Sequence, residues 1–391
     1  MGTDDPLVGV INAGSSSVKC ALFAGEARFL SCVVEGIGVD PAARAIRADG
    51  AAIVPPTISP SATPGSIAAT LLPWLRGQAG AHRIAAIGHR VVHGGLHHAS
   101  PVLVTPALVE ELEALVPLAP LHEPHNLVPI RAIAAADPAL PQVACFDTGF
   151  HRSIPPVSQA FALPIAMFEE GVRRYGFHGL SYEYIAGVLP RISPRLAAGR
   201  VVVAHLGNGA SACAIQAGRS MATTMGFTAL DGLPMGTRCG ALDAGVVLHL
   251  LQQRGMTAGE VQDLLYKRSG LHGLSGGLSS DFRHLLASGD PRAAFAVAVF
   301  CSHVARAIAS LATAMGGLDG VVFTAGVGEH AAPVRQAVGD ALAWLGLRMD
   351  AVANAGHGPR ISTPDSAIEA WVIPTDEERM IARHTARLAL G

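Results

Sequence analysis

Apolar runs of β-strand length alternate along the chain with longer stretches of helical spacing. The first apolar run, residues 7–11, leads into a polar turn that contains Asn12, Gly14 and three serines, and a second run leaves it at 20–24. Two apolar runs on either side of a short Gly-rich turn predict a strand–turn–strand hairpin. Its tip is rich in hydroxyls and backbone N–H groups, a combination suited to binding an anion. Lys19, one of two lysines in the chain, lies just beyond the tip.

The same plan recurs at residues 201–217, where an apolar run, a Gly-Asn-Gly turn and another apolar run follow one another. Placing Gly209 over Gly14 also brings Ser211 over Ser16. A repeat about half a chain apart predicts a duplicated α/β domain, with a ligand held between two phosphate-binding hairpins. The intervening pattern predicts a surface loop at 54–65, helices at 65–78, 105–117 and 126–136, and a strand at 142–146 that ends at Asp147.

A third Gly-rich turn lies at residues 321–330, and a helical pattern follows at 331–345. Gly326, Gly328 and Ala331 have the spacing of a dinucleotide fingerprint between a strand and a helix, and Asp350 follows at a suitable distance. The sequence contains no GxxxxGK[ST] motif, which excludes the P-loop class. On these turns alone, an NAD-dependent dehydrogenase and a hairpin-type kinase are equally well supported.

Composition narrows the class of protein. A chain of 391 residues that is 50% apolar and 15% charged suggests two domains with large interiors. A net charge of −2 without any basic run argues against a nucleic acid partner. Six scattered cysteines without a CxxC pair predict buried free thiols in a reducing compartment. The N-terminal segment has no secretory pattern, and the Ala-rich stretch 293–315 contains Arg306 and suits a buried helix, so a cytoplasmic protein without a membrane partner is expected.

Histidines clustered at 89–98, together with His122 and His125, raise the alternative of a zinc site. Gly94 and Gly95 interrupt any helix through the first cluster, and no cysteine or carboxylate completes a set of four ligands. The sequence therefore argues against zinc.

Eleven segments in sequence order together resemble the acetate kinase family, the short-chain acyl kinases of the larger actin–Hsp70–sugar kinase fold group. They cover almost the whole chain: NAGSSSVK (12–19), GHRVVHGG (88–95), APLH (119–122), FDT (146–148), RRYGFHG (173–179), HLGNG (205–209), MGFT (225–228), MGTR (235–238), SSDFR (279–283), FTAGVGE (323–329) and IPTDE (373–377). This resemblance favours the kinase over the dehydrogenase.

The resemblance implies an α/β fold of two duplicated actin-like, ribonuclease H-like domains with the active site in the cleft between them. The expected domains are residues 1–149 with 378–391, and residues 150–377. The implied reaction is reversible, in-line transfer of the ATP γ-phosphoryl group to acetate, giving acetyl phosphate and ADP. Mg²⁺ or Mn²⁺ would accompany the nucleotide, and the resemblance also implies a homodimer.

A carboxylate acceptor is already ionised at neutral pH and needs no general base, so catalysis must come from alignment and charge stabilisation. The resemblance assigns catalysis to Arg90, Asp147, His178 and Arg238. For the acyl substrate it assigns Arg90 with a small apolar cup of Val92, Leu121 and Phe177, and for the metal Asn12 and Glu377. For the nucleotide it assigns Lys19, His205, Leu206, Gly207, Asn208, Gly209, Asp281, Phe282, Arg283, Gly326, Val327, Gly328, Glu329 and His330.

Departures from the family pattern lie beside these residues. Ala229 replaces the usual proline of the acyl cup, which could widen the cup by about a methylene, a difference worth about 1–3 kcal/mol of selectivity. Propionate or another short-chain acid is therefore an alternative acceptor. The other departures are Glu123, Leu180, Tyr182, Ala241 and His330, and they leave open a pyrophosphate-using member or a catalytically inactive nucleotide-binding one. The retained adenosine motifs argue against pyrophosphate.

Overall fold

The computed structural model describes residues 6–14, 17–37, 40–119 and 122–391. The strands are β1 (Leu7–Ala13), β2 (Ser17–Ala24), β3 (Ala27–Glu35), β4 (Ala42–Arg47), β5 (Ala52–Ile53), β6 (Ile84–Val91), β7 (Val102–Leu103), β8 (Gln142–Phe146), β9 (Arg200–Leu206), β10 (Ala210–Gln216), β11 (Arg219–Thr223), β12 (Gly320–Thr324) and β13 (Glu369–Val372).

The α-helices are α1 (Pro64–Ala79), α2 (Pro106–Ala114), α3 (Glu123–Ala136), α4 (Pro156–Gln159), α5 (Ile165–Glu169), α6 (Gly179–Ile192), α7 (Pro194–Ala198), α8 (Ala244–Gln252), α9 (Ala258–Lys267), α10 (Gly270–Leu274), α11 (Phe282–Ala287), α12 (Pro291–Ala314), α13 (Ala325–His330), α14 (Ala332–Ala341), α15 (Ala351–Ala355) and α16 (Glu377–Ala389). Short 3-10 turns occupy Val116–Leu118, Gly149–Ser153 and Ala343–Leu345.

The chain forms two compact units, each with its own sheet. Unit 1 contains the described residues up to Phe150 together with Asp376–Gly391, and unit 2 is His151–Thr375. The sheet of unit 1 has the strand order β5-β4-β3-β2-β1-β6-β8-β7, and the sheet of unit 2 has the order β11-β10-β9-β12-β13.

The two sheets share a five-strand core of the same topology. In unit 1, β1, β2 and β3 form an antiparallel meander, and β6 and then β8 add in parallel beside β1. In unit 2, β9, β10 and β11 form the same meander, and β12 and then β13 add in parallel beside β9. The duplication predicted from the two hairpins is confirmed, since each hairpin opens the sheet of its own unit.

Helix α16 returns the end of the chain to unit 1 and packs across β1, β6 and β8. The approach is close at Gly88 in β6, where a Cβ atom would collide with the side chains of Ile381 and Thr385. Glycine is therefore required at 88 by the contact with the helix, not by a turn. The same packing brings the start of α16, which carries Glu377, toward the sheet.

The apolar pattern predicted most elements to within a few residues. Both hairpins, α1, α2, α3 and the strand before Asp147 are present. The expectation for 321–345 was wrong in one respect. The Gly-rich segment after β12 is not a turn but the short helix α13, which Ala325 enters with φ +64° before α14 begins at Ala332.

Helix α12 is the helix in the described ranges that is long and apolar enough, by length and composition, to cross a membrane. Its Ala293, Phe300, Val304 and Ile308 are buried, and the helix packs on β9, β10 and β11 of unit 2. The six cysteines are free thiols, as expected, and all but the half-buried Cys239 are buried.

Candidate active site

Three of the predicted residues of unit 1 follow from its sheet register. Strands β1, β6 and β8 run parallel side by side, with Ile11 opposite His89 and Arg90 opposite Cys145. Carboxyl ends of neighbouring parallel strands meet at one edge, which is where open α/β sheets bind ligands. Asn12, Arg90 and Asp147 therefore lie together, although they are far apart in the sequence.

Arg90 and Asp147 form a bidentate ion pair. Arg90 Nε lies 2.9 Å from Asp147 Oδ1, and Nη2 lies 2.5 Å from Oδ2. Asp147 is 1% exposed. Burial acts to lower the pKa of Arg90, but the Asp147 carboxylate and its hydrogen bonds more than offset this, so the net pKa is raised above its ordinary value. The pair fixes a permanently charged guanidinium in one orientation.

Asn12 links this ion pair to Glu377. Its Oδ1 accepts a hydrogen bond of 3.3 Å from Arg90 Nη1, and its Nδ2 donates to Glu377 Oε2 at 3.4 Å. Glu377 is the first residue of α16, where the helix dipole favours a carboxylate. The four residues thus form one connected polar group within unit 1.

The segment that carries Val92 is held by side chains through consecutive backbone N–H groups. Val92 N donates to Asn126 Oδ1 at 2.9 Å, His93 N to Glu123 Oε2 at 3.1 Å, and Gly94 N to Thr148 Oγ1 at 3.1 Å. Asn126 and Glu123 belong to α3, and Thr148 lies in the turn after β8. They restrain the loop directly after Arg90, a role that the sequence did not reveal for any of them.

Glu123, one of the departures from the family pattern, is fully buried. Its Oε1 has no hydrogen-bond partner among the described residues. The pKa of Glu123 is raised to about 8, mainly by burial and in part by the nearby Asp147 carboxylate, while the hydrogen bond from the His93 N–H acts to lower it. The side chain is therefore mainly a neutral carboxylic acid at pH 7.

The hairpin turn of unit 2 lies against two predicted catalytic side chains. A Cβ atom at Gly209 would lie 2.8 Å from Arg238 Nη2 and 3.2 Å from His178 Nε2. These two groups therefore converge on the turn, and a side chain at position 209 would displace the Arg238 guanidinium. Arg238 is anchored on its other side, where Nη1 donates to the Ala229 carbonyl at 2.6 Å.

His178 and His205 stack with ring centroids 4.2 Å apart and an interplanar angle of 18°. His178 Nδ1 lies 2.7 Å from Ser211 Oγ, and His205 Nδ1 lies 2.8 Å from Ser181 Oγ. His178 has φ +58° at the start of α6. A non-glycine residue in this left-handed region costs about 1 kcal/mol or more, and such strain is concentrated at functional sites.

Three segments predicted to bind the nucleotide line one cavity of about 510 Å³ in unit 2. They are the turn at Gly207 and Asn208, the start of α11 at 281–283, and helix α13 with the residues that follow it. The volume lies in the range of small-ligand sites. His330, a departure from the family pattern, lies on the wall of this cavity.

The α13 wall is braced by Arg335, which is fully buried. Its Nη1 donates to the carbonyls of Gly328 and Glu329, both at 2.9 Å, and its Nε donates to Asn354 Oδ1 at 2.8 Å. Burial lowers the pKa of Arg335 to about 10, so it stays charged at neutral pH. Glu329 Oε1 in turn accepts a hydrogen bond from Thr375 N at 3.2 Å.

The remaining predicted residues are distributed over both units. Lys19 is exposed on β2 directly across the strand pair from Asn12, in unit 1. Val92 is buried in unit 1 and Phe177 in unit 2. Leu121, predicted for the acyl cup, lies outside the described residues.

Within the described part of the chain, no three His, Cys, Asp or Glu side chains are grouped to hold a metal. Mg²⁺ retains most of its waters and needs few protein ligands. The carboxylate of Glu377 and the amide oxygen of Asn12 are oxygen donors of the type it prefers, so the polar group of unit 1 fits a hydrated Mg²⁺.

Sequence reasoning missed the residues that support these groups, namely Asn126, Thr148, Ser181, Arg335 and Thr375. They lie outside the recognised motifs or contribute only common polar side chains, so no local signal marked them. Ser211 had one signal, its alignment with Ser16 in the two hairpins.

Known proteins are similar to this chain over almost its whole length. Residues 7–383 match the acetokinase family. An acetate kinase of Rhodopseudomonas palustris strain CGA009 is 53% identical over 98% of both chains, and one of Nitrobacter hamburgensis is 51% identical over 97% of this chain and 96% of its own.

Solved structures of two kinases are similar to this chain over almost its whole length. A propionate kinase from Francisella tularensis superposes with a TM-score of 0.91 at 35% identity, covering 98% of this chain and all of its own. The Porphyromonas gingivalis acetate kinase gives a TM-score of 0.85 at 35% identity, over 98% and 99%.

The repeated topology and these neighbours define a two-domain enzyme of the actin-like fold, a phosphotransferase class, which confirms the expected fold class. More narrowly, the chain belongs to the acetokinase family. The resemblance found in the sequence is thereby confirmed, and the dehydrogenase alternative is set aside.

Proposed function

We propose that the protein transfers the γ-phosphoryl group of ATP to acetate, forming acetyl phosphate and ADP, and catalyses the reverse reaction. The relatives named acetate kinase, with about half of their residues identical, support this acceptor. Among the observations on the molecule, the strongest support is the convergence of Arg238 Nη2 and His178 Nε2 beside the Gly209 turn. Two side chains that meet at one point beside a nucleotide-sized cavity are well placed to stabilise the negative charge of a phosphoryl group during its transfer.

Arg90 would bind the acyl carboxylate. Asp147 holds its guanidinium in a single orientation, and a planar fork of donors matches the two oxygens of a carboxylate. Asp147 has no proton to remove from an ionised acceptor, so its part is to orient Arg90. Val92, Leu121 and Phe177 would enclose the methyl group.

The nucleotide would occupy the cavity of unit 2, with its adenosine between 281–283 and α13. Helix α13 is braced there by Arg335, and the Gly207–Gly209 turn, with His205, would contact the phosphates. Leu206 ends the strand that carries this turn, and Lys19 is proposed to contact phosphate from unit 1.

Asn12 and Glu377 would hold a hydrated Mg²⁺, or Mn²⁺ in its place. When bound, the ion neutralises charge on the phosphate oxygens. The oxygens of Asn12 and Glu377 lie beside the guanidinium of Arg90, which would keep the acceptor carboxylate and the metal-bound phosphates close together. A homodimer in the cytoplasm completes the proposal.

A propionate kinase is the second candidate, because Ala229 is smaller than the usual proline and a propionate kinase is among the structural relatives. The test is hydroxamate trapping of the acyl phosphate with formate, acetate, propionate and butyrate, using ATP or pyrophosphate as donor. Acetate with ATP is expected to give the highest kcat/KM. If no combination of acid and phosphoryl donor gives an acyl phosphate, the proposed reaction is refuted. If kcat/KM is higher with propionate than with acetate, propionate kinase becomes the preferred candidate.

Arg90→Lys in the same assay tests the site. Replacing the fork by an ammonium is expected to lower kcat by about 10²–10⁴-fold, the range for loss of a transition-state donor. Arg44→Lys is the matched control, because Arg44 forms an exposed ion pair with Glu35 in the same unit. Equal activity of the two variants would remove Arg90 from the proposed mechanism.

A further inference from the structure

The hydroxyl of Ser211 lies between two aromatic side chains of unit 2. Ser211 Oγ is 2.7 Å from His178 Nδ1 and 2.5 Å from the hydroxyl oxygen of Tyr182. Both Ser211 and Tyr182 are fully buried. Ser211 belongs to β10 and Tyr182 to the first turns of α6, so a strand and a helix fix the geometry of this chain of three groups.

The relative acidity of the two hydroxyls gives this series of hydrogen bonds a direction. Serine has one proton to donate, and neutral imidazole has one nitrogen that donates and one that accepts. A phenolic hydroxyl is the more acidic of the two hydroxyls and therefore the better donor. Tyr182 then donates to Ser211, and Ser211 donates to His178 Nδ1. With Nδ1 acting as an acceptor, the imidazole proton lies on Nε2.

The Nε2 atom is the one that faces the Gly209 turn. A Cβ atom on Gly209 would be 3.2 Å from Nε2 and 2.8 Å from Arg238 Nη2. With its proton on Nε2, His178 offers a hydrogen-bond donor at the same point as the guanidinium. The other tautomer would present a lone pair there, which repels an anionic oxygen.

We propose that Tyr182 and Ser211 are positioning residues that hold His178 in the Nε2–H tautomer, so that His178 donates to the transferring phosphoryl group. This role rests on the proposed kinase reaction, and it deepens that reaction by explaining how His178 presents a hydrogen-bond donor at Nε2. Tyr182 is one of the departures of this chain from the family pattern, which has histidine at that position. The Tyr182 hydroxyl is therefore a feature of this protein, and not of the family pattern, that helps to orient His178.

Tyr182→Phe removes the first donor and keeps the ring. We expect kcat to fall about 10-fold and KM for ATP and acetate to change less than about 2-fold, because His178 would less often hold its proton on Nε2 to donate to the transferring phosphoryl group. Ser211→Ala removes the group in contact with His178 and should lower kcat by about 30–100-fold. The matched control is Tyr184→Phe, on the same helix, which should retain wild-type kcat.

A second background separates positioning from general structural damage. In His178→Gln the histidine is gone, so adding Tyr182→Phe should lower kcat no further. The same loss in both backgrounds, or a rise in KM with unchanged kcat, would overturn the assignment.

The tautomer itself can be measured without turnover, from the imidazole nitrogens of ¹⁵N-histidine-labelled protein with His178→Gln to assign the signal. We expect a protonated Nε2 and an unprotonated Nδ1 in the wild type, and a mixed population in Tyr182→Phe. A wild-type protein that makes no acyl phosphate would refute the proposed function while this signal still reports the tautomer. A protonated Nδ1 in an active enzyme would overturn the inference and leave the function standing.

Discussion

The carboxyl group of Glu123 is buried where the fold disfavours its charged form, and this makes the stability of unit 1 depend on pH. The pKa is about 8 in the folded protein against an ordinary value of 4.5, with burial as the main cause. The groups around it are the His93 N–H, which favours the charged form, and the Asp147 carboxylate, which disfavours it. Glu123→Gln keeps the shape and the acceptor for His93 but cannot ionise.

The direction of this pH dependence follows from the number of protons that the folded and unfolded states bind. Between pH 4.5 and 8 the folded state holds a proton on Glu123 that the unfolded state has released, so this group makes stability fall as pH rises. Below pH 4.5 both states are protonated and the effect vanishes. At pH 7 the difference corresponds to about 3 kcal/mol in the free energy of unfolding.

Urea unfolding of unit 1 can be followed by the fluorescence of Trp74, which lies on α1, a helix that packs on α3. A background with Trp344→Phe and Trp371→Phe removes the two tryptophans of unit 2. We expect Glu123→Gln to raise the urea midpoint by about 1 M or more at pH 7 and to match the parent near pH 4.5.

Glu110→Gln, on the exposed surface of α2, is the control and should leave the midpoint unchanged at every pH. A gain for Glu123→Gln that is the same at all pH values, or no gain at pH 7, would refute the reasoning. The first outcome would mean that packing and not ionisation is responsible, and the second that the folded protein accommodates the charge.

Further predictions concern the active site. Gly209→Ala should displace the Arg238 guanidinium by a fraction of an ångström, lowering kcat by about 10–100-fold with little change in Tm; an unchanged kcat would count against the convergence at the turn. Arg335→Lys should raise KM for ATP several-fold and leave KM for acetate alone, because the brace on α13 is weakened; the exposed Arg195→Lys is its control in steady-state assays. Ala229→Pro should shift kcat/KM toward acetate over propionate by about 10-fold in hydroxamate trapping, and no shift would remove position 229 from the acyl cup.

The repeated topology explains why one hairpin plan supports two different sets of groups. In unit 1 the strands beside the hairpin bring Arg90 and Asp147 to the edge where Asn12 lies near the end of β1. In unit 2 the equivalent edge has His205, the last residue but one of β9, opposite Thr324 of β12. The duplicated framework thus carries different polar groups at the corresponding edge of each sheet.

The sequence by itself determined the elements and the family. Alternating apolar runs and Gly-rich turns are local signals, so both hairpins, the helices around α1–α3 and the duplication followed from them. The ordered motifs also predicted catalytic roles for Arg90, Asp147, His178 and Arg238, through their resemblance to the family pattern.

Only the tertiary structure decided how these residues are held. The bracing of Val92–Gly94 by Asn126 and Glu123, and of α13 by Arg335, depends on contacts between segments that no local pattern links. The helix at 325–330 was missed because glycines in that segment favour a turn locally, and packing against β9 and β12 outweighs that preference. Burial likewise set the pKa of Glu123, since the sequence gives a carboxylate's identity but not the water that the fold removes from it.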